Sequence, residues 1–168
     1  MVAEVAHVGN RFNRGQSYFT LRSAPQEVSI VPMSTNSSPP SIQLPTDEEL
    51  VLKVIPMPAD CNANGDIFGG WVMAQVDLAG SVLPARYTQG RMATVAVNEF
   101  VFKHPVRVGD ILSFFSKVSR IGRTSITVKV EVYAERFRAQ GQYIKVTEAS
   151  VTYVAIDDEG RPREIPKT

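Results

Sequence analysis

"WVMAQVDLAGSVLPARY" (residues 71–87) decides the fold. Trp71, Val72, Met73, Ala74, Val76, Leu78, Ala79, Val82 and Leu83 leave almost no polar face on a helical projection. A helix that is apolar all round belongs inside a protein, not on its surface. Pro84 would strike the carbonyl four residues back. That residue is Gly80, whose missing side chain eases a kink there. The stretch therefore reads as one buried helix, and something must surround it.

The chain on the C-terminal side supplies the cover. From Ala93 onward the period changes from helical to alternating. Strands are predicted over residues 94–106, 110–121, 125–137 and 142–157. Gly109, Gly122 and Gly141 punctuate the short connections between them. In "ITVKVEVY", Ile126, Val128, Val130 and Val132 share one face. Connections this short join antiparallel neighbours. On the other side of the helix, "LVLKVIP" (50–56) reads as a further strand. One apolar helix among five strands is most economically buried by a strongly curved sheet wrapping it, an α+β arrangement.

Residues 33–46 are rich in Ser, Pro, Thr and Asn, a linker composition. A flexible extension over residues 1–45 and one folded domain over residues 46–168 are expected. Residues 1–30 lack the continuous apolar segment of a signal peptide. Arg11, Arg14 and Arg22 give a faint transit-peptide character, and Met33 heads a plausible native start. The 168 residues carry a net charge of +1. That balance argues against a general nucleic-acid binder. No apolar run reaches the roughly 18 residues of a membrane span. One cysteine, Cys61, allows no internal disulfide, and with only His7 and His104 a Cys/His metal site lacks ligands. The reducing cytoplasm is the simplest compartment for such a chain.

The chemistry is expected at "NANGDIFGGW" (62–71), where the loop meets the helix. The first N–H groups of a helix have no internal partner, and the helix dipole adds partial positive charge. Glycine lets a carbonyl oxygen approach them closely. Gly70, then Gly69, is the candidate oxyanion donor for acyl transfer. Asp66 stands four residues before Gly70, placed to activate water or to attack an acyl carbon, or else to cap the helix as an ordinary turn residue. Asp77, inside the apolar helix, is either a second functional acid or a buried, hydrogen-bonded carboxylate. Cys61 reads as a small buried thiol and His104 as a loop or strand-end residue.

"MPADCNANGDIFGGWVMAQVD" (57–77) closely resembles the signature of the YciA-type acyl-CoA thioesterases, members of the hotdog-fold superfamily. The similarity continues through "FVFKHPVRVGDIL", "SRIGRTSITVKVEVY" and "TEASVTYVAIDDEGRPREIP", spanning roughly residues 49–166. Cys61 and His104 depart from the residues the family leads one to expect at those positions. The resemblance implies a hotdog fold, a homodimer as the minimal active unit, and a hexamer built as a trimer of dimers. It implies an acyl-CoA substrate, with CoA as part of substrate and product and no other cofactor. It puts the catalytic carboxylate on Asp66, with Asp77 second, Gly70 as oxyanion donor and Asn62 orienting water or thioester. Contacts to CoA fall on Arg120, Gly122, Arg123, Thr124 and Ser125 of one hairpin and on Lys103. Arg107 adds to the positive field. Trp71, Met73 and Phe100 are the expected walls of an acyl tunnel. Two rivals share the fold. A non-catalytic CoA- or acyl-binding module would bind without turnover. A hydratase would need a catalytic histidine, and His104 alone lies in the domain.

Overall fold

The computed structural model describes residues 42–166. Most of the expected N-terminal extension lies outside them. The chain runs β1 (Glu49–Val54), a single 3-10 turn at Pro58–Asp60, α1 (Gly69–Thr88), β2 (Met92–Phe102), β3 (Ile111–Ile121), β4 (Ser125–Glu135) and β5 (Tyr143–Ala155). The five strands form one sheet in the order β1-β3-β4-β5-β2. Every neighbouring pair is antiparallel. Among the described residues no helix is long and apolar enough to cross a membrane.

The alternation read in the sequence is the packing. Ile126, Val128, Val130 and Val132 turn one face of β4 inward and are fully buried. They meet Val72, Val76 and Ala79 of α1, also buried. Each such side chain contributes about 1.5–3 kcal/mol on leaving water. Gly80 proves to be a packing residue. A Cβ there would stand 2.6 Å from the Tyr153 hydroxyl of β5 and 3.3 Å from Val130 Cγ2. The helix passes so close to the sheet that only glycine fits. Pro84 sits inside the helix, which continues to Thr88.

Two expectations change. The helix begins at Gly69, two residues earlier than predicted, because both glycines enter its first turn. Nor is it buried on all sides within one chain. Met73 and Leu78 stay open, Leu78 at 60% exposure. The sheet can cover only one side of the cylinder, and the opposite apolar stripe is left facing outward. The edge strand β2 adds to that open surface through Val95 and Val101, both more than half exposed. β2 also ends four residues short of the predicted boundary, at Phe102. Pro105, which has no N–H to donate, lies just beyond. Within β2 the pairing slips between Asn98 and Val101, and Glu99 takes a left-handed backbone, φ 55°.

Candidate active site

The loop before α1 is shaped by its own polar groups. The Asn62 side-chain oxygen accepts the N–H of Asn64 at 2.8 Å and of Asp66 at 3.3 Å. The Asn62 N–H donates to the Asp66 carbonyl at 2.7 Å, and the Gly65 N–H to the Asn62 carbonyl at 3.0 Å. Gly65 adopts φ 83°, the left-handed turn geometry that favours glycine. Further N–H donations, Ile67 to the Val106 carbonyl and Phe68 to the Asp60 carbonyl, both 2.9 Å, fasten the loop to its surroundings. Asn62 thus builds the loop that presents Asp66.

Phe68 is the N-cap, with no side-chain cap bond. Its carbonyl accepts the N–H of Trp71 and of Val72. The Gly69 and Gly70 N–H groups find no acceptor among the described residues. Space around the two glycines differs. A Cβ on Gly69 would press on the Phe102 ring at 3.1 Å, whereas one on Gly70 meets nothing within 4 Å. Gly70 therefore offers the more open donor.

Asp66 is half-buried, and its carboxylate oxygens take no hydrogen bond or ion pair among the described residues. It caps nothing. It faces a cavity of about 370 Å³ together with Asn62, Gly69, Lys103 and His104. Ile67, Val72, Phe102, Pro105 and Val106 form the apolar wall of the same cavity. An unpartnered carboxylate, the Gly69 end of the helix start and an apolar wall share one concavity, which suits attack on an activated acyl group, while Gly70 is exposed beside the cavity and does not line it. Trp71, Met73 and Phe100 were expected to line it and do not. Trp71 and Phe100 pack half-buried against the core, and Met73 points outward. Ile67 and Val72 stand beside the Asp66 motif, whereas Phe102, Pro105 and Val106 come from the end of β2 and the loop after it, tied in by the Ile67 N–H on the Val106 carbonyl. The "KHPV" of that loop brings Lys103 and His104 to the cavity.

Asp77 stands elsewhere. Seven residues beyond Gly70, it is about 10 Å further along the helix. Its carboxylate accepts from Thr94 Oγ1 at 2.8 Å and from the Tyr153 hydroxyl at 3.2 Å. The same hydroxyl donates to the Asp77 carbonyl at 2.7 Å. Burial first, then the nearby Asp77 charge, pushes the Tyr153 phenol well above its usual range. Asp77 braces α1 to β2 and β5 and is not brought to the Asp66 cavity of its own chain. Cys61, half-buried, points its thiol at the Gly65 carbonyl, 3.7 Å away.

The hairpin residues keep the expected turn but lie far off. The Gly122 N–H closes it on the Ser125 carbonyl at 2.7 Å. The Thr124 carbonyl accepts the Ala155 N–H. Arg120 is exposed, and Arg123 pairs loosely with Glu164 at 3.4 Å, both ends solvated. Arg123 and Gly122 border a separate cavity of about 380 Å³ with Tyr87 and Glu164. Ser125 lies opposite Val154 of β5, while the Lys103 N–H bonds the Val146 carbonyl. Eight strand residues separate those levels, roughly 26 Å. Within one chain, the hairpin and the Asp66 cavity do not meet. Lys103 does belong to the cavity, its ammonium held 2.5 Å from Glu148. That ammonium, then Lys145, holds the Glu148 carboxyl below its usual range. No group of three or more potential metal-ligating His, Cys, Asp or Glu side chains occurs among the described residues.

Known proteins match this architecture. The Thioesterase superfamily model matches residues 64–140. The acyl-CoA thioester hydrolase YciA of Salmonella typhimurium is 45% identical over 120 residues, covering 70% of this chain and 90% of that protein. A hexameric thioesterase of Yersinia pestis superimposes with a TM-score of 0.69 at 45% identity, over 74% of this chain and all of the other. A hexameric hotdog-fold thioesterase of Campylobacter jejuni gives 0.66 at 43% identity, over 70% and 90% of the two chains. With nearly the whole length of these relatives represented, the chain belongs to the YciA family of acyl-CoA thioester hydrolases in the thioesterase superfamily, and its sheet around one helix is the hotdog fold.

Proposed function

We propose that the chain hydrolyses acyl-CoA thioesters to a free carboxylic acid and CoA. The observation that carries the reading is the unpartnered Asp66 carboxylate sharing a cavity with the start of α1. Asp66 either takes a proton from the attacking water or itself attacks the carbonyl carbon, giving an anhydride that water then opens. In both routes the carbonyl oxygen gains negative charge and accepts a hydrogen bond from the Gly70 N–H, with the Gly69 N–H beside it. The tetrahedral carbon then collapses, the C–S bond breaks, and CoA leaves as its thiolate to be protonated. Asn62 acts by holding the loop. The reaction needs no metal or redox cofactor.

The CoA end of the substrate is assigned to Arg120, Gly122, Arg123, Thr124 and Ser125 of a second copy, with Lys103 nearer the thioester. Support comes from the direction of β2. It runs from Met92, paired near the hairpin end of β5, to Phe102, beside the cavity. An antiparallel pairing of two β2 edges across a two-fold axis sets the hairpin of one copy beside the Asp66 cavity of the other. It also covers Val95, Val101 and the open stripe of α1. Related thioesterases are hexamers, and a hexamer of three such dimers is the assembly proposed here. The unpaired Cys61 suits a reducing compartment, and the cytoplasm is the proposed location.

A panel of acyl-CoAs tests the reading by thiol release, with Asp66→Asn and Asp66→Ala beside the parent. Loss of kcat by a factor of about 10²–10⁴ with substrate still bound is expected. Light scattering on the same sample should read a multiple of the protomer mass. Turnover unchanged in both variants, or full activity in a monomer, would sink the proposal; binding without release in the parent would leave a carrier module. The presence of His104 in the cavity favours one rival, a hydratase using imidazole and carboxylate. Intact thioester hydrolysis in His104→Ala disposes of it.

A further inference from the structure

A second cavity, of about 430 Å³, lies at the far end of the loop that walls the first. Arg107, Val108, Asp110, Arg136, Phe137 and Arg138 line it. Its volume falls in the range of small-ligand sites. Asp110, almost fully buried, is occupied with structure. One of its oxygens accepts the Arg107 N–H at 2.9 Å and also pairs with the Arg136 guanidinium. Arg136 also donates to the Pro105 carbonyl at 3.0 Å. One carboxylate therefore answers one guanidinium. Arg107 and Arg138 are exposed and have no acidic partner among the described residues. Phe137 between them keeps 68% of its surface in solvent. Its placement is built. Gly109 turns through φ +88°, and a Cβ there would sit 3.2 Å from Phe137 Cβ and Cγ. The glycine lets the phenylalanine stand over the turn with its ring outward.

Two unanswered guanidiniums beside an open aromatic face call for a ligand with phosphate oxygens and a flat ring. Arginine grips phosphate bidentately, and a nucleobase stacks on phenylalanine. We propose that this cavity binds the phosphate-and-base portion of a nucleotide. The ligand is a free nucleotide, because the phosphate end of CoA is already assigned to the hairpin of a second copy, and the site does not depend on the thioesterase reading. Occupancy reaches the catalytic cavity through a short path. Lys103 to Val106 wall that cavity, Arg107 to Asp110 border this one, and Arg136 ties the Pro105 carbonyl to Asp110.

Calorimetric titration of the full-length assembly with ADP, and separately with CoA, tests the site. ADP affinity should fall at least tenfold in Arg107→Gln/Arg138→Gln and in Phe137→Ala, and should weaken as salt rises. Inorganic phosphate, having no ring, should bind more weakly than ADP and ignore the Phe137 change. CoA that displaces ADP and loses affinity in the same variants overturns the proposal of a nucleotide site separate from the substrate's. CoA binding and turnover unmoved by variants that abolish ADP binding identify a separate effector site. Failure of ADP to bind, or equal ADP binding by parent and variants, overturns the proposal. So does a Phe137→Ala protein that changes oligomeric mass while ADP affinity holds, because the ring would then belong to a subunit contact. The ADP arm requires no turnover, so its result is independent of whether Asp66 hydrolyses thioesters.

Discussion

Gly80→Ala should destabilise the protein although it replaces a poor helix former by the best one. The exchange gains about 1 kcal/mol of intrinsic helix preference in a helix interior. Against that, the new methyl would lie 2.6 Å from the Tyr153 hydroxyl and 3.3 Å from Val130 Cγ2. Tyr153 is 1% exposed, so its ring has nowhere to retreat. Overpacking of this kind costs about 1–3 kcal/mol. Displacing the hydroxyl also breaks its 2.7 Å bond to the Asp77 carbonyl, leaving buried polar groups unpaired at a further 1–3 kcal/mol or so. The net loss should be about 2–4 kcal/mol. Tyr153→Phe separates the terms. It gives up the hydrogen bonds, about 1 kcal/mol, but removes the obstructing oxygen and leaves Cζ at 3.5 Å, an ordinary contact. In that background only the 3.3 Å approach to the Val130 methyl remains, and Gly80→Ala should lose most of its penalty. The four proteins form a double-mutant cycle with a coupling of about 2–4 kcal/mol. Denaturant unfolding followed by circular dichroism measures it, at one protomer concentration because assembly adds to apparent stability. A Gly80→Ala protein as stable as its parent, or the same penalty in both backgrounds, refutes the close-approach argument.

Gly70→Ala asks the opposite question, because a Cβ there meets nothing in the chain. Unfolding midpoints should hold or rise, while kcat/KM for acyl-CoA should fall by about 10²-fold, because the added methyl keeps the N–H but displaces a carbonyl that must approach it closely; wild-type turnover would show that the substrate does not come close to the Gly70 Cα. Glu131 gives a pH signature. Burial opposes its ionisation, but hydrogen bonds from Lys129, Lys145 and Tyr133 prevail and hold its carboxyl at about 2, below the ordinary 4.5. A carboxylate with a depressed folded-state value stabilises above about pH 4.5 and loses that contribution as pH falls toward 2, at most about 3 kcal/mol in all. Glu131→Gln should therefore cost most at neutral pH and converge on the parent between about pH 4.5 and 2; a stability difference that does not vary over that interval contradicts the assignment.

What could be read from residues alone followed from local periodicity. The apolar helix and the alternation at residues 126–132 reach the same core because each states its buried face without reference to the other. The helix start was displaced by two residues because Gly69 and Gly70 look like loop and yet form the first turn. Asp66 was legible as a candidate through its motif and its distance from the glycines, but its freedom from capping was not, since that depends on Phe68 taking the N-cap position. Asp77 shows the harder limit. A carboxylate in an apolar helix reads equally as acid or brace, and what decides is Tyr153, 76 residues away. The hairpin arginines show a different one. Their chemistry suits phosphate, but chemistry does not say which cavity they serve. Eight strand residues keep them from the Asp66 of their own chain, and one chain leaves an apolar helix stripe and the β2 edge open between the two ends. A sequence records both halves of such a site once. In the proposed dimer the operation that joins them is a two-fold axis that reverses the edge strand end for end, and on that reading proximity along one chain is the wrong measure of which residues act together.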